Sequence, residues 1–493
     1  MIDSKYLLSD DQIAQFIAHG YVQLQTDFSE HFHQTVIRKM NEVYAQEGNP
    51  GNNLVPRIPE VGQLFENPVV KGALTSILGP DYLMHAHRHG HFNRPGTSDG
   101  GWHKDNYWGN EKTRNHVPWS AMIFYYPQDV TPDMGPTDII PGSQNRYNID
   151  THSEMSIPVT GKAGTFALIS YDIWHRATAN TSLNDRYMLK FLFFRTEAPK
   201  QPTWNNRRTE WQPPEQMHPV KDNGLLWEHV WNWMSGNTHE AGRSDLEQTA
   251  AGTGSTDELE KVLLGEDENE ALNAAYTLAA MGEEAIPVLL RGLKHSAEGV
   301  VHPLKYSIPR LCAHALAAMG PKAVPALMLA LDDTYAERDV LGQAAFALGE
   351  MREHASAAVP RLIELLQEES PFIRQHVVEA LGMIGQPASL IVPALSEALA
   401  DSDQYVRFLS GLALARLGPA AADAVPALAK ALNDDSFALS MLAASKADQG
   451  GRYVSAIAAS ALQRIRTNEA LDALLSYLQA ARWCPVTTKA STF

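Results

Sequence analysis

The sequence predicts a two-part, multidomain chain: an N-terminal double-stranded β-helix (jelly-roll) barrel with flanking helices, then an all-α solenoid. Three observations carry this. Many short β-type runs broken by turn residues fill the chain up to about residue 195, after an opening of helical segments. Beyond about residue 256 an Ala- and Leu-rich phrase recurs, marked by Pro287, Pro325, Pro360, Pro393 and Pro426 at spacings of 38, 35, 33 and 33 residues. Between them, residues 235–256 are small and polar and read as a linker. The expected domains are therefore 1–234, a linker at 235–256, and a solenoid over 257–484.

Taking the elements in order, Ser9-Asp10-Asp11-Gln12 is a capping-box pattern ahead of an apolar stripe of Ile13, Phe16 and Ile17, and Gly20 is placed to stop that helix. Tyr21 to Leu24 reads as a strand, and helices are expected over about 31–46 and 66–78. Residues 82–93 alternate so that His85, His87, His89, His91 and Asn93 share one strand face, with Arg88 in the opposite phase. Strands are expected over 117–126, 138–140, 164–174 and 186–194, with Pro141-Gly142-Ser143 as a turn and 176–185 as a polar hairpin loop. Met122, Tyr125 and Tyr126 either line a cavity or fill a sheet face. Residues 200–234 hold Trp204, Trp211, Trp227, Trp231 and Trp233. Packing of this segment onto the barrel is the preferred reading, with a lid as the alternative.

In the C-terminal region Gly282, Gly320, Gly385 and Gly418 precede most of the proline phrases, and Arg374, Arg407 and Arg452 recur near unit starts. Two helices per period, neither able to bury its apolar face alone, define an α-solenoid. About six units are expected, the last (Tyr453–Ala481) lacking the proline and serving as a cap. The phrases resemble short HEAT-like repeats of the kind also seen in phycobilisome lyases.

Length and composition exclude several function classes. A chain of 493 residues is too long for one ordinary core. Residues 256–493 hold 29 acidic and 19 basic side chains, −10 of the total −17. Neither part has the clustered basic surface of a nucleic-acid binder. No run of about 18 apolar residues suggests a bilayer span. The opening Met1-Ile2-Asp3-Ser4-Lys5 lacks a secretory pattern, the closing residues lack a lipidation pattern, and Cys312 and Cys484 are too few for a disulfide framework. A cytoplasmic protein is expected.

The chemistry concentrates in Trp102-His103-Lys104-Asp105 and in His175 and Arg186 downstream. His103 and Asp105 share one face of an extended segment, because strand side chains alternate. A second imidazole from His175 completes two nitrogens and one carboxylate, which bind one face of an octahedral Fe(II) and leave the other positions open. Arg186, always charged and planar, suits a carboxylate.

Residues 6–195 resemble the phytanoyl-CoA dioxygenase family of Fe(II)/2-oxoglutarate oxygenases. The matching text is Leu8-Ser9-Asp10-Asp11-Gln12 with Phe16 and Gly20-Tyr21-Val22, Asn93-Arg94-Pro95-Gly96 before the His-x-Asp pair, Gly135-Pro136-Thr137-Asp138-Ile139-Ile140-Pro141-Gly142-Ser143, and His175, Asn180-Thr181-Ser182 and Arg186, the last eleven residues past His175. The resemblance implies that His103, Asp105 and His175 bind Fe(II), that 2-oxoglutarate chelates it through its 2-oxo acid end before O2 binds, and that Arg186 pairs with the far carboxylate. Thr137 and Ser182 are lesser candidates for the same co-substrate. Where the family often has a Lys, this chain has Asn93, which brings no charge; His91 is the candidate to share that work. A carboxylate at Asp105 fits hydroxylation, desaturation or ring chemistry better than halogenation.

The resulting expectation is a hydroxylase of biosynthesis, acting on an unactivated C–H bond of a small metabolite or natural-product intermediate with release of succinate and CO2. Two alternatives stand beside it. The substrate is large or carrier-bound and docks on the solenoid, or the chain is a non-enzymatic scaffold. The solenoid is expected to serve a protein partner or self-association, with no nucleic acid or membrane involved.

Overall fold

The structure, a computed structural model, describes residues 2–107, 113–149, 155–237, 254–295, 307–332, 338–434 and 453–482. Most of the expected linker, Arg452 and Cys484 lie outside the described residues. The chain divides into two compact units, one reaching to Met319 and the other running from Gly320 onward, with Tyr107 grouped in the second.

The first unit opens with α1 (Asp10–His19), where Ser9 and Gln12 form the reciprocal capping box and Gly20 closes the helix with a left-handed φ of 78°. Strand β1 (Tyr21–Gln25) and helices α2 (Glu30–Glu47) and α3 (Pro68–Leu78) follow. Seven further strands build the barrel: β2 (Tyr82–Asn93), β3 (Ser120–Tyr125), β4 (Thr137–Ile139), β5 (Ile157–Val159), β6 (Thr165–Ser170), β7 (His175–Ala177) and β8 (Arg186–Arg195). They form a five-stranded sheet in the order β1-β6-β3-β8-β2 and a three-stranded sheet in the order β5-β4-β7. Antiparallel pairing throughout matches the jelly-roll expectation.

The expected strand over 164–174 ends at Ser170, and a separate strand begins at His175 in the other sheet. The turn between them lets the chain change sheets. β5 was not legible, because three residues, one of them Pro158, carry no alternation. Facing strands share side-chain orientation: Arg186 is opposite Asn93, Lys190 is opposite both His89 and Phe124, and Leu192 is opposite Met122. Met122, Phe124 and Tyr126 thus share the interior face, while the Tyr125 hydroxyl turns outward to His33 Nδ1 of α2, 3.0 Å away. Arg88 is opposite Phe191, whose ring packs edge-on against Phe65 on the helix-covered face.

The Trp-rich segment ends in α4 (Gly224–Met234). Trp231 is fully buried against Trp204 and Trp211, and Trp204 Nε1 donates to Asp10 Oδ1 at the start of α1 (2.7 Å). Helices α5 (Thr256–Leu263), α6 (Glu268–Met281), α7 (Ile286–Leu293) and α8 (Ile308–Met319) complete the unit, and α6 packs on α4.

The second unit is all helical: α9 (Val324–Asp332), α10 (Arg338–Glu350), α11 (Val359–Glu364), α12 (Pro371–Ile384), α13 (Ala388–Ala398), α14 (Gln404–Leu417), α15 (Val425–Ala431), α16 (Val454–Ile465) and α17 (Asn468–Arg482). The long helices α10, α12, α14 and α16 stack in series, as a solenoid requires. Pro360 and Pro426 occupy the first turn of their helices, where a missing N–H costs nothing. Pro393, by contrast, lies inside α13. Gly382 allows α12 and α14 to touch, since a Cβ there would fall 2.3 Å from Ala413 Cβ. The recurring arginines join successive repeats: Arg374 forms a bidentate pair with Asp401 (2.7 and 2.8 Å), and Arg407 reaches Asp434 at 2.8 Å. A polar outer face is the mark of a capping repeat, yet α17 exposes Leu471, Leu475 and Leu478. The apolar stretches Ile308–Asp332 and Gln404–Ala431 are each long enough to span a bilayer by length and composition. Each is nevertheless a pair of repeat helices meeting at Gly320 or Gly418, with about half of its most apolar window buried in protein.

Two outcomes follow. Burial pulls His19 down to about 4 and His85 to about 3, and holds His116 and His314 well below the usual imidazole range. The folded unit keeps them neutral, whereas the unfolded chain takes up protons near pH 6.5. Stability is therefore present above that pH and lost as pH falls towards 4, at up to about 1.4 kcal/mol per histidine per pH unit. The urea midpoint of the first unit should fall between pH 7.5 and 5.5; a flat profile contradicts neutral burial. In the second unit, Arg374→Ala leaves Asp401 largely buried without its partner and should cost about 3 kcal/mol, read as faster amide exchange in α12 and α14.

Candidate metal centre

The extended segment up to Asn106 meets β7 at two points, Gly100 N donating to Ala177 O (2.8 Å) and His103 pairing with His175. His103 N donates to His175 O and His175 N donates to His103 O, both at 3.0 Å. Residues paired reciprocally across an antiparallel contact project their side chains to the same face, and the two imidazole centroids are 4.4 Å apart. Asp105, two residues on, returns to that face and sets Oδ2 3.6 Å from His175 Nε2. One ligand atom from each of His103, Asp105 and His175 lies within 4.8 Å of the others, the one such group of three among the described residues.

The chemistry of these donors fits a divalent cation. His103 Nδ1 lies 2.9 Å from Gly101 O, and His175 Nδ1 lies 3.1 Å from Ile173 O. A carbonyl only accepts, so each Nδ1 carries the hydrogen and each Nε2 keeps its lone pair for the cluster. His175 Nε2 is buried and has no hydrogen-bond partner among the described residues. Burial holds His175 down at about 3 against the pull of Asp105, so the ring is neutral and able to ligate. For Asp105, burial pushes the carboxyl up, but the charge and hydrogen bonds of Lys190 outweigh it and hold it below the usual carboxylate range.

Between the ligands, Lys104 takes the opposite face. Its ammonium is buried and donates to Thr113 Oγ1 (3.0 Å), Ser143 O and Gln144 O (3.2 Å each). Ser143 Oγ in turn accepts from Trp174 N at 3.0 Å, beside His175. The Pro141-Gly142-Ser143 turn thus clamps both ligand segments from outside.

Arg186, at the start of β8, is 1% exposed, and burial lowers its pKa. Its Nε donates to Gly135 O at 2.9 Å, and Nη2 bonds the same oxygen. No carboxylate pairs with it among the described residues. A buried guanidinium without a counter-ion is costly, so the position suits an anion. Around it stand Asn93, whose Nδ2 donates to Gly135 O and Thr178 O (3.0 Å each), and Tyr126, whose hydroxyl accepts from Thr137 N at 3.0 Å. Gly135 is constrained at this point, because a Cβ there would fall 2.3 Å from Asn93 Nδ2. Thr137 shares the interior face with Ile139, the residue opposite His175. Ser182 sits apart, its hydroxyl donating to Asn180 Oδ1 (2.7 Å) within the 180–184 loop. His91 lies nearer the metal end, where burial, Lys190 and the neighbouring imidazoles hold it well below its ordinary range.

Sequence reasoning missed Lys190. This 2% exposed lysine donates to both Asp105 oxygens, at 2.9 and 2.7 Å. It supplies an interior positive charge that Asn93 lacks, from β8 rather than β2. The readable signal was one lysine inside the otherwise apolar run Tyr187 to Phe194, an even number of residues from Arg186 and so on its face.

This set of ligands inside a jelly-roll barrel defines a non-haem Fe(II)- and 2-oxoglutarate-dependent oxygenase. Residues 15–188 match the model of the phytanoyl-CoA dioxygenase family, PhyH, and residues 324–392 match that of HEAT repeats. No curated protein matches the chain. Among solved structures, the non-haem α-ketoglutarate-dependent carbocyclase SnoK from nogalamycin biosynthesis is 19% identical with a TM-score of 0.35, over 41% of this chain and 90% of that one. EctD from S. alaskensis, solved with 2-oxoglutarate and 5-hydroxyectoine, is 17% identical with a TM-score of 0.35, over 43% and 86%.

Replacing Lys190 separates its two effects. Lys190→Met leaves the buried Asp105 without its ammonium, which should destabilise the metal-free protein by about 3 kcal/mol or more. The same change removes a cation competing for the carboxylate, so Fe(II) should bind more tightly than in wild type. Thermal melts with and without Fe(II) read both, and weaker Fe(II) binding in this variant would refute the competition.

Proposed function

We propose that this protein hydroxylates an unactivated C–H bond of a small metabolite or natural-product intermediate in the cytoplasm. The observation that carries this reading is the convergence of the triad with the unpaired Arg186 in one barrel. His103, Asp105 and His175 would hold the iron. Bound iron with its 2-oxo acid supplies the oxidising chemistry, in which substrate, O2 and 2-oxoglutarate give alcohol, succinate and CO2. Arg186 receives the far carboxylate of the co-substrate, with Thr137 and Tyr126 beside it. Asn93 secures the Gly135 carbonyl that orients the guanidinium, and His91 and Lys190 form the polar wall towards Asp105. Lys190 lies four strand residues from Arg186, about 13 Å along β8 at about 3.3 Å per residue, so the carboxylate site and the metal site occupy separate levels of the barrel. Ser182 contributes by holding the loop that leads into Arg186.

The test needs no substrate. Metal-free protein is titrated with Fe(II) and 2-oxoglutarate under anaerobic conditions, and the visible charge-transfer band of the chelate is followed. Asp105→Ala should lose the band. Arg186→Met should keep iron while weakening 2-oxoglutarate by roughly 10²- to 10³-fold, the equivalent of about 3–4 kcal/mol for a buried ionic partner. Absence of the band in wild type, with iron not retained, would refute the oxygenase site. Succinate formation driven by a panel of small metabolites then tests the substrate class.

A further inference from the structure

The helices α6 and α8 carry polar side chains that end on the loops behind the metal ligands, within the first unit. Glu268, the first residue of α6 and 8% exposed, accepts from Tyr147 N (2.7 Å), Asn148 N (2.8 Å) and Asn148 Nδ2 (3.1 Å). Three N–H groups on one carboxylate make a strong, charge-assisted grip. Arg310 of α8 donates to Arg114 O through Nη2. His314, one turn further on, stacks on His116 at 3.7 Å and 11°, and His116 Nδ1 is 2.8 Å from Tyr276 Oη of α6.

The two gripped segments are those that hold the ligands. Loop 143–148 offers the carbonyls of Ser143 and Gln144 to Lys104, which stands between His103 and Asp105. Loop 113–116 offers Thr113 Oγ1 to the same lysine, and Arg114 N to Asp172 Oδ2 (2.9 Å), three residues before His175. Lys104, Thr113, Arg114, Ser143, Gln144 and Asp172 are buried, where a hydrogen bond left unmade is costly and geometry is tightly held, while the Glu268 bonds to Tyr147 and Asn148 are part-buried.

We propose that α6 and α8 form an outer brace of the iron site, with Glu268 and Arg310 as positioning residues acting through Lys104 and Asp172 on the three ligands. The helices after the polar linker are then a working part of the oxygenase and not an appendage to it. The proposal rests on the reading of His103, Asp105 and His175 as iron ligands.

The test uses the full-length protein. Fe(II) affinity and the intensity of the anaerobic Fe(II)–2-oxoglutarate band are compared for wild type, Glu268→Ala, Glu268→Gln and Arg310→Met, with Arg374→Ala of the second unit as a stability control. Amide exchange over 143–148 is followed in parallel. Glu268→Ala should speed exchange there and weaken Fe(II) binding roughly tenfold, the lower end of the effect seen for groups that orient metal ligands. Glu268→Gln keeps an acceptor oxygen and should recover part of that loss, while Arg374→Ala should leave iron affinity unchanged. Should Glu268→Ala not accumulate as folded protein, Arg310→Met, which removes one bond to the 113–116 loop, reads the same effect. Wild-type affinity and band in the brace variants despite faster loop exchange would overturn the brace alone. Equal losses in Arg374→Ala would overturn it too, by showing general destabilisation. Failure of wild type to bind iron would instead bring down the metal reading on which the brace depends.

Discussion

The reciprocal backbone bond between His103 and His175 is the constraint on which the site depends. It joins two segments 72 residues apart in sequence. Backbone bonds from Gly100 N to Ala177 O (2.8 Å) and from Asn180 N to Thr97 O (3.0 Å) continue the pairing and help to fix its register. Side chains on the outside of the barrel add to this. β7 is held on its other edge by β4, with Ile139 opposite His175. The 101–106 segment is held by the buried Lys104, whose bonds to the 143–144 carbonyls place it against the turn that also receives Trp174 N. A slip of one residue would send His103 outward and Lys104 towards the metal, since alternate residues face opposite ways. Lys104 therefore reinforces the register that the flanking backbone bonds set.

Charge completes the arrangement. Lys190 neutralises Asp105, while Arg186 stands buried without a counter-ion among the described residues. A divalent cation and a dicarboxylate dianion together add no net charge to this interior, so the pair enters at less electrostatic cost than either alone. Gly135 O meanwhile receives two N–H groups of the buried guanidinium. The Gly135-Pro136-Thr137 stretch is thus an electrostatic part of the site as well as a turn. Asn93 serves it from the next strand by bonding the same carbonyl.

Much of this was legible in the sequence because it obeys local rules. The capping box at Ser9 and Gln12, the His-x-Asp alternation, the full extent of β2 and the repeat period all follow from periodicity or spacing. Lys190 escaped because its partner, Asp105, is 85 residues away, and no local pattern reports a buried ion pair between distant strands. His91 was the candidate to share the work of the lysine that Asn93 replaces, because both lie on one strand face. Cross-strand pairing brings a further group to that interior, Lys190 opposite His89, which sequence adjacency alone does not report.

The same difference governs the repeats. Arg374 and Arg407 each lie eleven residues before a helix-ending glycine, Gly385 and Gly418, and each reaches an aspartate of the following repeat. Arg310 lies ten residues before Gly320, nearly the same place in its own repeat, yet its guanidinium ends on Arg114 O of the barrel. A periodic pattern reports that a helix has a face to bury and a polar group to satisfy, but not which neighbour does so. The early repeat helices satisfy theirs on the loops behind the metal ligands, and the later ones satisfy theirs on each other. One repeated phrase thereby builds both a support for the oxygenase and a self-contained solenoid, and the change of role falls within the periodic region, without a break in composition to announce it.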